Sequence, residues 1–460
     1  MNSSESPQAA NAPAALPKSD VSAGVGFVGL FGLFAWILFC RNYPEISAFL
    51  ELSGPRERMS GPYAALAAML FTSGPMVLWS VFVDKVHRRA STGISWDNPR
   101  TISEIKHISL VKLAGLFATW AIIGFLYCVA RWYWSGQYLF AMEVIGVAAI
   151  PLFVLSVPYV LWIDRVMDNP RDHAWHFGAM LLGKAYDPEE VKKHWRSWII
   201  KGFFGAFMIS ILPGGFNYVV NADLVDIVND PVRFGILLIE LLFVIDVQIG
   251  TVGYLVTFRP LDAHIRSGNP FLAGWIAALI CYPPLVFGFM GNINGQLGML
   301  AYEVNTPGWT HWFAGNNLML YLWAFWLIFL TAIYAWATIA FGIRFSNLTY
   351  RGVLTNGPYR FTRHPAYLSK NLFWWSATMP FFVTSDSMVD MVRNTFFLGV
   401  VSAIYFWRAK TEEAHLLQED QKYRDYHAWM EDNGVLTRPL SRLKRLVRPR
   451  GPAMQSQPAE

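Results

Sequence analysis

Ten runs of mostly apolar residues, separated by polar loops, constrain this chain more than any other feature of it. A hydrocarbon core of about 30 Å is crossed at about 1.5 Å per residue, so a helix of roughly 20 apolar residues suffices. The runs lie near 24–40, 61–83, 109–131, 141–163, 199–220, 234–257, 271–291, 317–343, 368–384 and 391–407. Hydrocarbon offers no partner to a loose amide or carbonyl, so each run is expected to be helical. The fold class that follows is all-α, a polytopic transmembrane bundle of about ten spans. Composition agrees, because 54% of residues are apolar and only 15% charged, against about 25% charged in soluble domains.

Basic residues gather on the cytosolic side of membrane proteins. Loop 84–108 carries Lys85, Arg88, Arg89, Arg100 and Lys106, and loop 258–270 carries Arg259 and Arg266. Loop 344–367 adds Arg344, Arg351, Arg360 and Arg363. The alternate loops hold Asp223, Asp226 and Asp230, then Glu303, then Asp386 and Asp390. That alternation places both termini in the cytosol. One loop dissents, since 41–60 has Arg41, Arg56 and Arg58 on the expected outer side, beside Glu45, Glu51 and Glu57. The expected location is a bacterial inner membrane, or the endoplasmic reticulum in a eukaryote.

The net charge of +5 borders membrane segments instead of forming a stripe, so no nucleic-acid partner is expected. Cys40, Cys128 and Cys281 are far apart without CxxC spacing, which points to neither a disulfide framework nor a metal site. Residues 1–23 are polar and rich in Ala, Ser and Pro, and read as a disordered tail. A transmembrane bundle of about seven helices over 24–291 follows, interrupted by a loop at 164–197 that suggests a surface amphipathic piece. A C-terminal unit spans 317–440 and closes with a polar helix. Residues 441–460 form a basic, disordered tail.

Gly24, Gly26 and Gly29 match the GxGxxG dinucleotide fingerprint, but that motif needs a preceding strand. Here a polar tail precedes it and a span contains it, so close helix packing explains the glycines. Ionisable residues inside spans suggest function by default. Glu240 and Asp246 lie within the sixth run; either an interhelical polar pair or a substrate pathway accounts for them.

The densest constellation follows the eighth run: Leu354-Thr355, Gly357-Pro358-Tyr359, then Arg363-His364-Pro365-Ala366-Tyr367, with Trp374-Trp375 beyond. After the tenth run come Arg408, Glu412-Glu413, Tyr423, Tyr426 and Pro439. The ninth and tenth runs would form a hairpin, returning both clusters to one membrane face. These residues, in this order, resemble the isoprenylcysteine carboxyl methyltransferases and their phospholipid N-methyltransferase relatives over roughly 320–440.

That resemblance implies an S-adenosylmethionine pocket without a Rossmann domain and a lipophilic small-molecule or lipid acceptor. Arg363 or His364 would take the cofactor's carboxylate. Glu412 or Glu413 would take its ammonium and ribose, and Tyr359 or Tyr367 would stack on adenine. Trp374, Trp375, Glu240 and Asp246 are candidates for the acceptor side, and no catalytic residue is singled out. Ser369 stands where the family commonly has Gly, and Gln418-Glu419-Asp420-Gln421 replaces its aromatic-Gly element. The alternatives are an NADPH-dependent sterol- or enone-type reductase and a non-catalytic membrane protein or transporter. The acceptor atom and the oligomeric state are not legible.

Overall fold

A computed structural model describes residues 15–54, 56–290, 292–293, 296–439 and 441–442. The chain is a multi-pass helical membrane protein: among the described residues, eight helices are long and apolar enough to cross a bilayer. In chain order the principal helices are α1 (Ala23–Arg41), α2 (Pro62–Leu78), α3 (Ile102–Ala130), α4 (Leu139–Val166), α5 (His173–Leu181), α6 (Pro188–Asn221) and α7 (Pro231–Leu255). They continue with α8 (Leu272–Leu279), α9 (Leu285–Phe289), α10 (Asn317–Phe341), α11 (Pro365–Thr378), α12 (Met388–Glu419) and α13 (Gln421–Asn433). The amphipathic piece expected in 164–197 corresponds to α5, and the polar closing helix to α13.

Two of the ten runs are not long helices. In the seventh, Pro283 and Pro284 supply no amide hydrogen to a helical ladder, and the run divides into α8 and α9. In the ninth, α11 stops after 14 residues at Met379, which takes a left-handed conformation (φ 53°) just before Pro380. Other ends are set by caps. Asp230 accepts hydrogen bonds from the Val232 and Arg233 amides at the start of α7, and Thr101 with Glu104 forms a capping box on α3.

Helix packing explains the glycine motif. A methyl on Gly29 would lie 2.1 Å from Met76 Cε, and one on Gly32 would lie 2.0 Å from the Phe71 carbonyl. Gly26 meets α10 in the same way, 2.4 Å from the Ile339 carbonyl. Small residues let these backbones approach where lipid offers no hydrophobic driving force. The arginines of the dissenting loop also have a local cause. Arg41 donates to the Val219, Val220 and Ala222 carbonyls at 2.7, 3.0 and 2.8 Å, and Arg58 reaches the Asn221 carbonyl at 3.0 Å. Both satisfy the carbonyls left open at the end of α6.

At the opposite, basic face Asp262 gathers three loops. It accepts from Ser91 at 2.7 Å, Arg266 at 3.1 Å and Arg344 at 2.8 Å. Ser267–Gly268 pairs antiparallel with Thr349–Tyr350. Arg351 is buried among backbone oxygens, donating to the carbonyls of Gly253 at 2.6 Å, Val256 at 3.1 Å, Ile343 at 3.1 Å and Ala263. Burial, reinforced by the Arg344 charge, pushes its pKa down to about 9. This guanidinium pins the loop 345–364 to the ends of α7 and α10.

The N-terminal segment corrects the sequence reading. Residues 1–14 lie outside the described residues, but Pro17–Ser22 are held against the basic face. Asp20 pairs with Val353 in both directions, through its amide at 2.9 Å and its carboxylate at 2.6 Å, and meets Lys422 at 2.6 Å. Thr355 donates to the Pro17 carbonyl at 2.7 Å, and Asn356 to the Val21 carbonyl at 2.8 Å. The expected C-terminal tail is described only at residues 441–442.

Candidate active site

A cavity of about 170 Å³ opens within the basic face. Its walls come from α10, the loop 344–364, the first turns of α11, the C-terminal half of α12, and α13, with Tyr282 from between α8 and α9 and Val21 from the N-terminal segment. Gly352 is needed there, because its φ is +106° and a methyl would lie 2.8 Å from both Arg344 and Asp20.

Five of the sequence-derived cofactor residues, Tyr359, Arg363, His364, Tyr367 and Glu412, line this cavity. The sixth, Glu413, lies directly behind them. Its Oε1 is 2.8 Å from Arg363 Nε and 2.9 Å from His364 Nε2, and its Oε2 accepts from Lys410 at 2.6 Å. Glu412 accepts from the Tyr367 hydroxyl at 2.5 Å and meets Arg408 at 3.3 Å. These contacts join α11 to α12. Pro365 occupies the first turn of α11, where no amide is needed, and leaves His364 just outside the helix facing α12.

Arg363 Nη1 is buried and has no hydrogen-bond partner among the described residues. Arg408 is better satisfied, donating to Asn347 at 2.6 Å while lying over the Tyr367 ring at 5.1 Å and the Tyr282 ring at 5.5 Å. Tyr359 and Tyr423 are held neutral, since burial raises the pKa of each phenol well above its ordinary value. Tyr426 donates to the Tyr359 carbonyl at 2.8 Å, so α13 closes the cavity from outside the bundle. The altered segment 418–421 is the junction of α12 and α13, where Asp420 caps α13 through the Lys422 amide and accepts from the Tyr350 hydroxyl.

The acceptor candidates divide. Trp374 stacks edge-on with Tyr405 at 5.0 Å, and Trp375 donates to Ser402 at 3.0 Å, tying α11 to α12 behind the cavity wall. Glu240 lies beside Gly215 of α6, away from the cavity. Asp246 faces α10 and accepts from Thr338, which does line the cavity. Sequence reasoning passed over Lys370, Tyr282, Asn347 and Tyr405, all in the walls. Lys370 was findable as an ionisable residue inside the ninth run. Tyr282 and Asn347 carry no local signal.

Residues 303–430 match a family model described as "Protein of unknown function (DUF1295)". The match covers a little over a quarter of the chain and includes the whole Arg363–Glu413 cluster, while the N-terminal helices lie outside it. No curated protein and no solved structure matches the chain.

Proposed function

We propose that the protein is a membrane methyltransferase that uses S-adenosylmethionine at the basic-face cavity and acts on a lipophilic acceptor. The observation that carries this reading is Arg363 Nη1, a buried donor without a partner among the described residues, in a cavity whose other arginines are committed. Arg344 is engaged by Asp262, Arg408 by Glu412, and Arg351 by carbonyls. A single open guanidinium edge suits one carboxylate, as the methionine part of this cofactor carries. Glu412 offers an acceptor for an ammonium or ribose hydroxyl. The tyrosine rings suit adenine and a sulfonium, which an aromatic face attracts.

When bound, the cofactor would supply a methyl group activated on sulfur. The chain's part is positioning and exclusion of water. Glu413, gripped by Arg363, His364 and Lys410, fixes the guanidinium in the cavity wall. Tyr367 and Arg408 hold Glu412. Val21 and the buried phenols shield the interior from water.

A nicotinamide-dependent reductase is the second reading, favoured by the polar group Asp246–Thr338 beside the cavity, which could deliver a proton. A dinucleotide would bring at least two phosphates to a site with few uncommitted cations. Calorimetric titration of the full-length protein in nanodiscs with S-adenosylhomocysteine and with NADPH separates the two. Saturable binding of S-adenosylhomocysteine, lost in His364→Ala and Glu413→Gln, is the expected result. Saturable NADPH binding with no response to S-adenosylhomocysteine overturns the proposal.

A further inference from the structure

The cavity has a second end, deeper in the bundle. Thr338 and Tyr334 lie one and two turns inward from Phe341 on α10, so Tyr334 sits about 10 Å in at 1.5 Å per residue. Lys370 of α11 lines the same end. Its ammonium lies 5.4 Å from the Tyr334 ring centre, 5.2 Å from Trp374 and 5.6 Å from Tyr405. Among the described residues it makes no hydrogen bond and no salt bridge within 4.0 Å. Behind Thr338, Asp246 is buried, accepts from the Thr338 hydroxyl, and interacts electrostatically with both Lys370 and Tyr334. None of these side chains belongs to the Arg363–Glu413 cluster.

Lys370 and Asp246 carry no net charge together, whether as an ion pair or as a neutral amine and acid. An ammonium head would meet the Lys370 charge at close range. A carboxylate head would lose its water next to Asp246, and burying a charge without full compensation is costly. A hydroxyl suits both groups, because it can accept from Lys370 while donating toward Thr338 or Tyr334. The rings around Lys370 complement a flat unsaturated body.

We propose that this deep end is the acceptor subsite, and that it takes a neutral lipophilic compound bearing a hydroxyl on an unsaturated ring, a phenol or enol. The methyltransferase reading is needed only to say what becomes of that hydroxyl; binding at this end does not require a cofactor.

The test uses full-length protein in nanodiscs without nucleotide, titrated with para-nonylphenol, lauric acid and dodecylamine against empty nanodiscs. Saturable binding is expected for nonylphenol, weakened roughly tenfold or more in Lys370→Met and in Asp246→Asn, the worth of one lost buried hydrogen bond. Thr338→Val, a milder change, should weaken it less. The thermal unfolding temperature of each variant reports whether the fold survives, and S-adenosylhomocysteine is titrated separately. Lauric acid binding more tightly than nonylphenol, and lost only in Lys370→Met, overturns the proposal in favour of an anion site. Dodecylamine binding more tightly, and lost only in Asp246→Asn, overturns it in favour of a cation site. Nonylphenol binding that depends on Lys370, in a protein that ignores S-adenosylhomocysteine, upholds this subsite while removing the cofactor reading.

Discussion

Two of the clusters of buried charge in this molecule are built from the same kinds of groups and finished differently. In the N-terminal bundle, Lys112 of α3 meets Asp164 of α4 at 2.5 Å and Asp172 at 3.1 Å, and Ser109 donates to the other Asp164 oxygen at 2.8 Å. Asp172 also caps α5 through the Ala174 and Trp175 amides. Next to it, His173 and His194 share a 3.2 Å contact, and Thr119 reaches His194 at 2.7 Å. Lys112 and both carboxylates have partners within the protein. In the C-terminal cluster, Glu413 is equally well gripped, but Arg363, which lines a cavity, keeps a buried Nη1 without a partner among the described residues. The first arrangement locks three helices together. The second holds a binding group in readiness, and an unpaired buried donor is tolerated where a ligand completes it.

Removing one cation from each cluster tests this contrast. The largest effect is expected for Lys112→Met, which leaves the buried Asp164 without its counter-charge. Stripping one partner from such a pair costs about 3–5 kcal/mol, so folded yield and thermal unfolding temperature should fall sharply. Arg363→Met should behave oppositely, because Lys410 still neutralises Glu413 and His364 still contacts it. There the unfolding temperature should hold while S-adenosylhomocysteine affinity drops roughly 10- to 150-fold, the worth of a charge-assisted hydrogen bond of about 1.5–3 kcal/mol. Equal destabilisation by the two substitutions would erase the distinction between them.

Acidification sharpens the comparison at smaller amplitude. Burial, with the Lys201, Arg259 and Lys112 charges adding to it and Asp172 opposing, pushes the pKa of His173 down from 6.5 to about 4. The unfolded chain therefore takes up a proton near pH 6.5 that the folded chain refuses until about pH 4. Stability from this residue is complete above pH 6.5 and is lost progressively as the pH falls toward 4. Unfolding temperatures measured across that interval should decline in the wild type and decline less in His173→Gln. The smallest effect is expected for Asp20→Asn, which weakens a partly exposed contact with Lys422 worth at most about 1 kcal/mol. Limited proteolysis near residues 15–22 should quicken with little change in unfolding temperature.

Long apolar runs made the helices legible, because hydrocarbon leaves the backbone little choice. Where the sequence was misread, a local residue overruled the run: Pro283-Pro284 divided the seventh, and Met379 before Pro380 ended α11 early. Arg41 and Arg58 misled as topological signals because their task is to satisfy the end of α6. The meeting of Arg363 and His364 with Glu412 and Glu413 could be anticipated from the hairpin of the ninth and tenth runs. Tyr282 and Asn347 could not, since they reach the cavity only through the packing of segments distant in sequence. Lys370 stood in plain view inside an apolar run and signals the deep end of the cavity. The N-terminal segment was hidden for another reason: its polar composition reads as a tail, and only contacts with Val353, Thr355 and Lys422 give it a place.

Those contacts also set an order of events. Asp20 and the Val353 amide it accepts from are 333 residues apart, so a segment made early docks onto one made much later. Synthesis runs from the N-terminus, and early units fold while later ones are still being made. The helices of the N-terminal bundle can assemble in that interval, but Pro17–Ser22 must wait until the loop that carries Val353 and Thr355 has been made. The cavity gains its remaining walls only once α12 and α13 have followed, so a half-made protein presents no finished site.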